Sequence, residues 1–492
     1  MKKNAIILLF FIASAGASAQ GHARSQRDEL EEFKKKSQQE FAGYKANREK
    51  EFKDFRDKYN AEFAAFMRQR WEKFSSAAGV PLPPSPDPVA PPVVDPQKKP
   101  TSDPIPFDEV LPAPQPVAPP QPVAPIPPAP QPVEPTFAVL FYNTECRVSL
   151  TPNLKVALAD LSEESVANAW SALSDSKYNS AISDCLELRS RLKLCDWGYI
   201  LLVKEVSEKF YGDAAPNEAV LLQMFILTQS GYKVRIAKAD DRLAMLIPSD
   251  RVIYEYSYID IDGLKYYVVD KSLKNSSFTI FNHEFPKEQL ISLRASQPNL
   301  NVAATAPKTY TSKRYPDVSV TVATNKNLIG FYSSYPQSSG WDLYANASLS
   351  ETLKQDLYPV LRRSIGGKSK AEAANILINF VQTAFEYKTD DEQFGYERSL
   401  FADETFFYPA SDCEDRSILY AVLVKELLGL EVVLLHYPGH LATAVCFDED
   451  VEGDYLTIGD KKFVVCDPTY IGAGIGCAME HLKTVKADVL KI

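Results

Sequence analysis

The sequence predicts an α+β protein: two related α+β domains behind a long helix and a proline-rich linker. Three observations support this. An internal duplication runs in constant order from Phe137 to Ile492. Apolar runs with helical spacing alternate with short runs of strand length, such as Phe463-Val464-Val465-Cys466. The prolines are segregated: 23 of 35 lie between Pro81 and Pro135, and none lies between Ser25 and Ser76.

The elements follow in chain order. Met1-Lys2-Lys3, the apolar run Ala5 to Ile12 and Ala17-Ser18-Ala19 read as a signal peptide over residues 1–19. No cysteine follows the expected cut after Ala19, so a bacterial lipid anchor is not indicated, and the apolar run is too short to span a membrane. The mature chain is therefore expected to be exported, to the periplasm or the cell surface, with no transmembrane segment. Residues 25–77 are rich in charge, and their aromatics recur every eleven residues. Phe41, Phe52, Phe63 and Phe74 form one series; Phe33, Tyr44, Phe55 and Phe66 form the other. Eleven residues make three turns at about 3.67 per turn, so both series share one slowly drifting face of a long amphipathic helix. That face suits a self-associating coiled-coil rod, a helix packed on another domain, or a surface-adsorbing helix; the rod is favoured. Residues 80–135 are expected to form an extended polyproline spacer without helix or sheet.

Charge and cysteines narrow the class. A net charge of −10 argues against nucleic acid as a partner. Seven cysteines in an exported chain permit disulfides without requiring them. Strand parity separates Cys446 from Cys466 if His440 and Asp467 meet. His436 and His440 are four apart, but Pro438-Gly439 interrupts any helix between them. The sequence has no His-Glu-x-x-His and no clustered cysteine pair, so neither metal nor cofactor is expected.

The chemistry concentrates near the C-terminus. Cys413 opens an apolar-periodic run that stops at Gly429, which places it in the first turn of a helix, where the dipole favours a thiolate. His440 follows the Pro438-Gly439 turn and opens a strand. Asp467 closes another strand just before Pro468. Nucleophile, base and orienting acid are thus all supplied, in order. The neighbouring acids Asp412, Glu414 and Asp415 work against a thiolate, since negative charge raises a thiol pKa.

This segment resembles the transglutaminase-like superfamily, relatives of the papain-type cysteine proteases. The residues that carry the resemblance are Ser411-Asp412-Cys413, His440-Leu441-Ala442 and Asp467-Pro468-Thr469, within about 370–475. Ser411 stands where the family usually has Gly, and Leu441 where it has an aromatic. The resemblance implies tandem papain-like domains, a catalytic set of Cys413, His440 and Asp467, and a peptide or protein substrate. Exported bacterial relatives of this type look mostly like peptidases or amidases. No upstream tryptophan is matched to the oxyanion residue of true transglutaminases, which favours hydrolysis over amine transfer.

The duplication divides the chain into a degenerate repeat at 137–300 and a catalytic domain at 301–492. Asn217 matches Asp415, Arg242 matches His440 and Asp270 matches Asp467, at offsets of 198, 198 and 197. Cys413 then falls on Ala215, so the first repeat has lost thiol and imidazole and is expected to be folded but inert. It also lacks the aromatic-rich stretch from about Asp390 to Pro409, expected to wall the active cleft. Three functions stay open: an exported cysteine peptidase or amidase, a protein cross-linking transglutaminase, and a non-catalytic scaffold. The first is favoured.

Overall fold

In the computed structural model the described residues are 50–83 apart from 52, 93–94, 101–113, 115, 120–122, and 137–492 apart from 250, 274–276 and 339. The signal peptide, residues 25–49 and most of the proline-rich stretch lie outside them. Residues 1–58 and 59–492 form separate units. In the first, residues 50, 51 and 53–58 are helical, and Lys53 pairs with Asp57 one turn on at 2.5 Å.

The second unit is mixed α+β. It opens with helix α1 (59–67), strand β1 (Glu72–Ser75), strand β2 (Phe107–Leu111) and the hairpin β3 (Phe137–Phe141) and β4 (Thr144–Val148). Helices α2 (Glu163–Leu173), α3 (Asn179–Arg191), α4 (Asp196–Tyr211) and α5 (Pro216–Gln229) precede strands β5 (Arg235–Ala239), β6 (Arg242–Ser249), β7 (Tyr258–Ile261), β8 (Leu264–Val268) and β9 (Ser277–Phe281). A small hairpin, β10 (Lys308–Thr311) and β11 (Ser319–Val322), leads to α6 (Lys326–Ser333), α7 (Asp342–Ala345), α8 (Glu351–Ile365) and α9 (Lys370–Ala384). Then come β12 (Glu386–Tyr387), α10 (Asp390–Phe394), α11 (Ala402–Phe407), β13 (Ala410–Ser411) and α12 (Cys413–Leu423). The chain closes on β14 (Glu431–Tyr437), β15 (His440–Cys446), β16 (Tyr455–Ile458), β17 (Lys461–Cys466) and β18 (Ala487–Lys491).

Two six-stranded sheets organise these elements, in the orders β1-β9-β5-β6-β8-β7 and β2-β18-β14-β15-β17-β16. Position for position β5 corresponds to β14, β6 to β15, β8 to β17, β7 to β16 and β9 to β18. The two sheets thus share one strand order. Helices α5 and α12 precede corresponding strands. Leu221, Leu222, Phe225 and Ile226 of α5 are buried, and every residue of α12 is buried. A helix covered all round belongs in the interior, so Cys413 starts from a rigid element.

Two expectations need correction. The helix expected over 25–77 ends at residue 67; β1 follows and pairs antiparallel with β9. Phe63 is buried against Trp170, Phe281 and Phe285, with ring centroids 4.7, 4.8 and 5.1 Å away. Phe74 packs on the core of the first sheet. These two rings of the eleven-residue series are spent on this unit rather than left for a rod. Eleven-residue periodicity marks an apolar face but does not say what covers it. The spacer expected over 80–135 does contain sheet: β2 joins the second sheet parallel to β18. Phe107 to Leu111 is free of proline, and an edge position needs only one side of its backbone paired.

None of the seven cysteines, all of them described, is in a disulfide. No helix among the described residues is long and apolar enough to cross a membrane.

Candidate active site

Local backbone geometry brings three distant residues together. Strand β13 pairs in parallel with β12, and the chain turns at Asp412 to start α12 at Cys413. One turn on, Ser417 Oγ donates to the Leu441 carbonyl at 2.9 Å and ties the helix to β15. Gly439, at φ +72°, makes the tight turn that delivers His440 to the start of β15. Strand β17 lies beside β15 with Cys466 opposite Thr443, whose hydroxyl donates to the Cys466 carbonyl. The next residue, Asp467, therefore emerges beside His440.

His440 Nε2 lies 2.9 Å from Asp467 Oδ2. The other carboxylate oxygen accepts from the backbone N–H groups of Thr469 and Tyr470 at 2.8 and 3.2 Å. Asp467 is only 1% exposed. Burial alone would lower the pKa of His440. The charge and hydrogen bond of Asp467, with those of Cys413, override it and raise His440 to about 10. With Nε2 engaged by Asp467, Nδ1 is the ring nitrogen left for Cys413. A buried imidazolium between a carboxylate and a sulfur is the arrangement that holds a thiolate.

The sequence reading missed the residue that braces this pair. Gln382, in α9, donates Nε2 to the carbonyls of Asp467, Tyr470 and Ala473 at 3.1, 2.8 and 3.0 Å. Its Oε1 accepts from Gly472 N at 3.3 Å. Its only signal in the sequence was an amide, like Asn379, on a helix that is otherwise apolar at Ile378, Phe380 and Val381. Arg416 was missed as well. It is buried and donates to the Gln382 and Phe385 carbonyls at 3.3 and 3.0 Å and to Ser411 Oγ at 3.3 Å. Burial lowers its pKa to about 10.

The acids around Cys413 are all buried. Cys413 Sγ donates to Glu414 Oε2 at 3.2 Å, and carboxyl oxygens of Asp390, Asp412 and Glu414 lie within 4.8 Å of one another. Burial first, then mutual repulsion, raises Asp390 to about 9 and Glu414 and Asp415 well above their ordinary values. Burial also raises Asp412, to about 6. The spacing suits one shared cation or shared protons, and burial disfavours a bare negative charge on each of these acids. The negative charge expected from the sequence around Cys413 is thereby reduced.

Cys413 and His440 open on a cleft of about 370 Å³, lined also by Leu82, Pro83, Tyr254, Trp341, Glu397, Ser399, His436 and Leu441. The 390–409 stretch does wall the cleft, through Glu397 and Ser399. Two of its aromatics turn inward instead: Phe401 stacks on Tyr332 at 4.2 Å and Phe406 is buried, whereas Tyr396 is exposed. Trp341, unmatched in the sequence reading, lies with its ring 4.7 Å from that of His436. A larger hollow of about 640 Å³, beside Gly429–Val433 and Ile458–Lys461, holds no thiol or imidazole.

The first sheet carries a corresponding pair without the thiol. Arg242 opens β6 as His440 opens β15, and it donates to Asp270 Oδ2 at 2.6 Å. Burial opposes the charge on Asp270, but Ser272 and Arg242 hold it below the usual carboxylate range. Ala215 stands before α5, where a thiol would be needed. Among known proteins, no family model, curated protein or solved structure matches this chain.

Proposed function

We propose that the protein is an exported cysteine-dependent acyl-transfer enzyme built on tandem transglutaminase-like domains, which hydrolyses a peptide or amide bond through a Cys413 thioester. The observation that carries this reading is the part-buried His440–Asp467 pair at 2.9 Å, with Cys413 beside it on one cleft. His440 takes the thiol proton, and the thiolate attacks the carbonyl carbon. Asp467 holds the imidazole and stabilises its charged form. The Cys413 backbone N–H, free at a helix start, contributes to binding the oxyanion. His440 then protonates the leaving amine, and water releases the acyl group.

Two rivals remain distinct. Trp341 in the cleft keeps amine transfer in play as a second outcome for the same thioester. The Arg242–Asp270 pair favours a scaffold reading for the first repeat, because the fold is kept there without a nucleophile. A mixed peptide library, incubated with the protein in the presence and absence of a fluorescent primary amine, separates these. New peptide termini absent with Cys413→Ser support hydrolysis, and amine incorporation supports cross-linking. No product of either kind supports the scaffold.

A further inference from the structure

We infer that Glu414 works as a neutral carboxylic acid whose O–H donates to the Cys413 thiolate, making it a catalytic residue alongside His440 and Asp467. This rests on the reading of Cys413 and His440 as a reactive pair.

Glu414 follows Cys413 in the first turn of α12 and lines the same cleft. Its Oε2 lies 3.2 Å from Sγ, its Oε1 is buried with no hydrogen-bond partner, and the Asp412 carboxyl is a second group its O–H can reach. An ionised carboxylate in that position would have one oxygen unsolvated and the other against a developing thiolate, which is doubly unfavourable. Carboxyl oxygens of Asp390 and Asp412 crowd it within 4.8 Å, and Asp415 is the next residue of the helix. Like charges at that range cannot all ionise. While sulfur still holds its proton, the S–H can donate to Oε2, 3.2 Å away. Once His440 has taken that proton, sulfur becomes the acceptor and the Glu414 O–H rotates toward it. Glu414 keeps its proton throughout; the only proton that moves is the one from Sγ to His440. A neutral Glu414 also explains how a reactive thiol is tolerated among four acids.

The test is alkylation of the full-length protein near pH 7 by iodoacetamide, read at Cys413 by peptide mapping. Glu414→Gln keeps size and a donor, and its rate should stay within about twofold of the unaltered protein. Glu414→Ala removes the donor and should slow labelling about tenfold or more. If Glu414 were ionised, Glu414→Gln would remove a negative charge beside sulfur and speed labelling about tenfold, which would overturn the inference. An unchanged rate in a folded Glu414→Ala would overturn it too.

Should Glu414→Ala fail to fold, iodoacetate on the unaltered protein and on Glu414→Gln still decides. A neutral Glu414 beside an imidazolium predicts that the iodoacetate-to-iodoacetamide rate ratio is the same in the unaltered protein and in Glu414→Gln. A ratio in the unaltered protein tenfold below that of Glu414→Gln, or a rate that changes with added calcium or chelator, means an ionised Glu414 and contradicts the inference. Loss of selective Cys413 labelling in the unaltered protein would instead sink the parent reading.

Discussion

Replacing Asp467 by Asn should drop the pKa of His440 from about 10 to below its ordinary 6.5. Burial is the largest influence on His440 and pulls downward; the charge and the hydrogen bond of Asp467 do most to reverse it. Asn keeps the size and leaves the burial. At pH 7 the imidazolium that partners the thiolate is then missing. A thiol left with an ordinary pKa of about 8.5 is only about 3% ionised at pH 7, so alkylation of Cys413 should slow about thirtyfold. The gap should close above about pH 9. Stability carries the same signature with a definite sign. A group whose pKa is raised on folding stabilises fully below its unfolded value and loses that contribution as pH rises through its folded value. The unaltered protein should therefore lose stability between about pH 6.5 and 10, and Asp467→Asn should lack that slope. The assay is a ¹H–¹³C titration of the five histidines, with the His440 signal assigned by its loss in His440→Ala, run beside the alkylation series. A His440 pKa near 6.5 in the unaltered protein, or an Asp467→Asn variant alkylated at full speed at pH 7, would show that Asp467 does not set the charge of the imidazole.

Gln382→Leu strands three buried carbonyls and should lower stability by about 3–5 kcal/mol, seen in urea melts; a neutral result would show the brace to be dispensable. Gly453 adopts φ +138°, and a Cβ there would sit 2.2 Å from Gly476 Cα, at the end of the loop that follows Asp467. Gly453→Ala should therefore cost more than about 2 kcal/mol, and an unchanged melting temperature would contradict that placement. Arg242→Ala removes an ion pair that is more than a third exposed on both sides. Its cost should stay within about 1 kcal/mol, with Cys413 labelling unchanged, because Ala215 leaves no thiol beside Arg242. Slower Cys413 labelling in that variant would show the two repeats to be chemically linked.

What the sequence made legible was local. Cys413, His440 and Asp467 each sit where a helix or strand begins or ends, and such boundaries are marked by Pro438, Gly439 and Pro468 themselves. The shared strand order of the two sheets has a trace in the sequence, because Asp270, Arg242 and the spine of α5 keep register with Asp467, His440 and α12. What stayed hidden depends on long-range packing. Gln382 reaches Asp467 across 85 positions, and no local pattern announces such a contact. Leu82 and Pro83 reach the cleft from a segment whose composition only says that it is extended. Phe63 and Phe74 read as the seam of a rod because a helix face carries no label for its partner; here the partner includes Trp170, Phe281 and the first sheet. The acids beside Cys413 read as a penalty because charge is counted in sequence as if exposed, whereas burial changes their protonation.

Whether Cys413 is a thiolate poised by His440 is decided by selective alkylation. The full chain should be treated with a limiting amount of iodoacetamide at pH 6.5, well below the pKa of an ordinary thiol, and all seven cysteines mapped by mass spectrometry. Cys185 and Cys466 are buried thiols whose pKa burial pushes far up, to about 12 for Cys466, and they should remain unlabelled. Cys413 should be modified first and almost alone, and His440→Ala should slow it by at least tenfold. Equal labelling of Cys413 and the partly exposed Cys446, unchanged by the His440 substitution, would mean that no such thiolate exists.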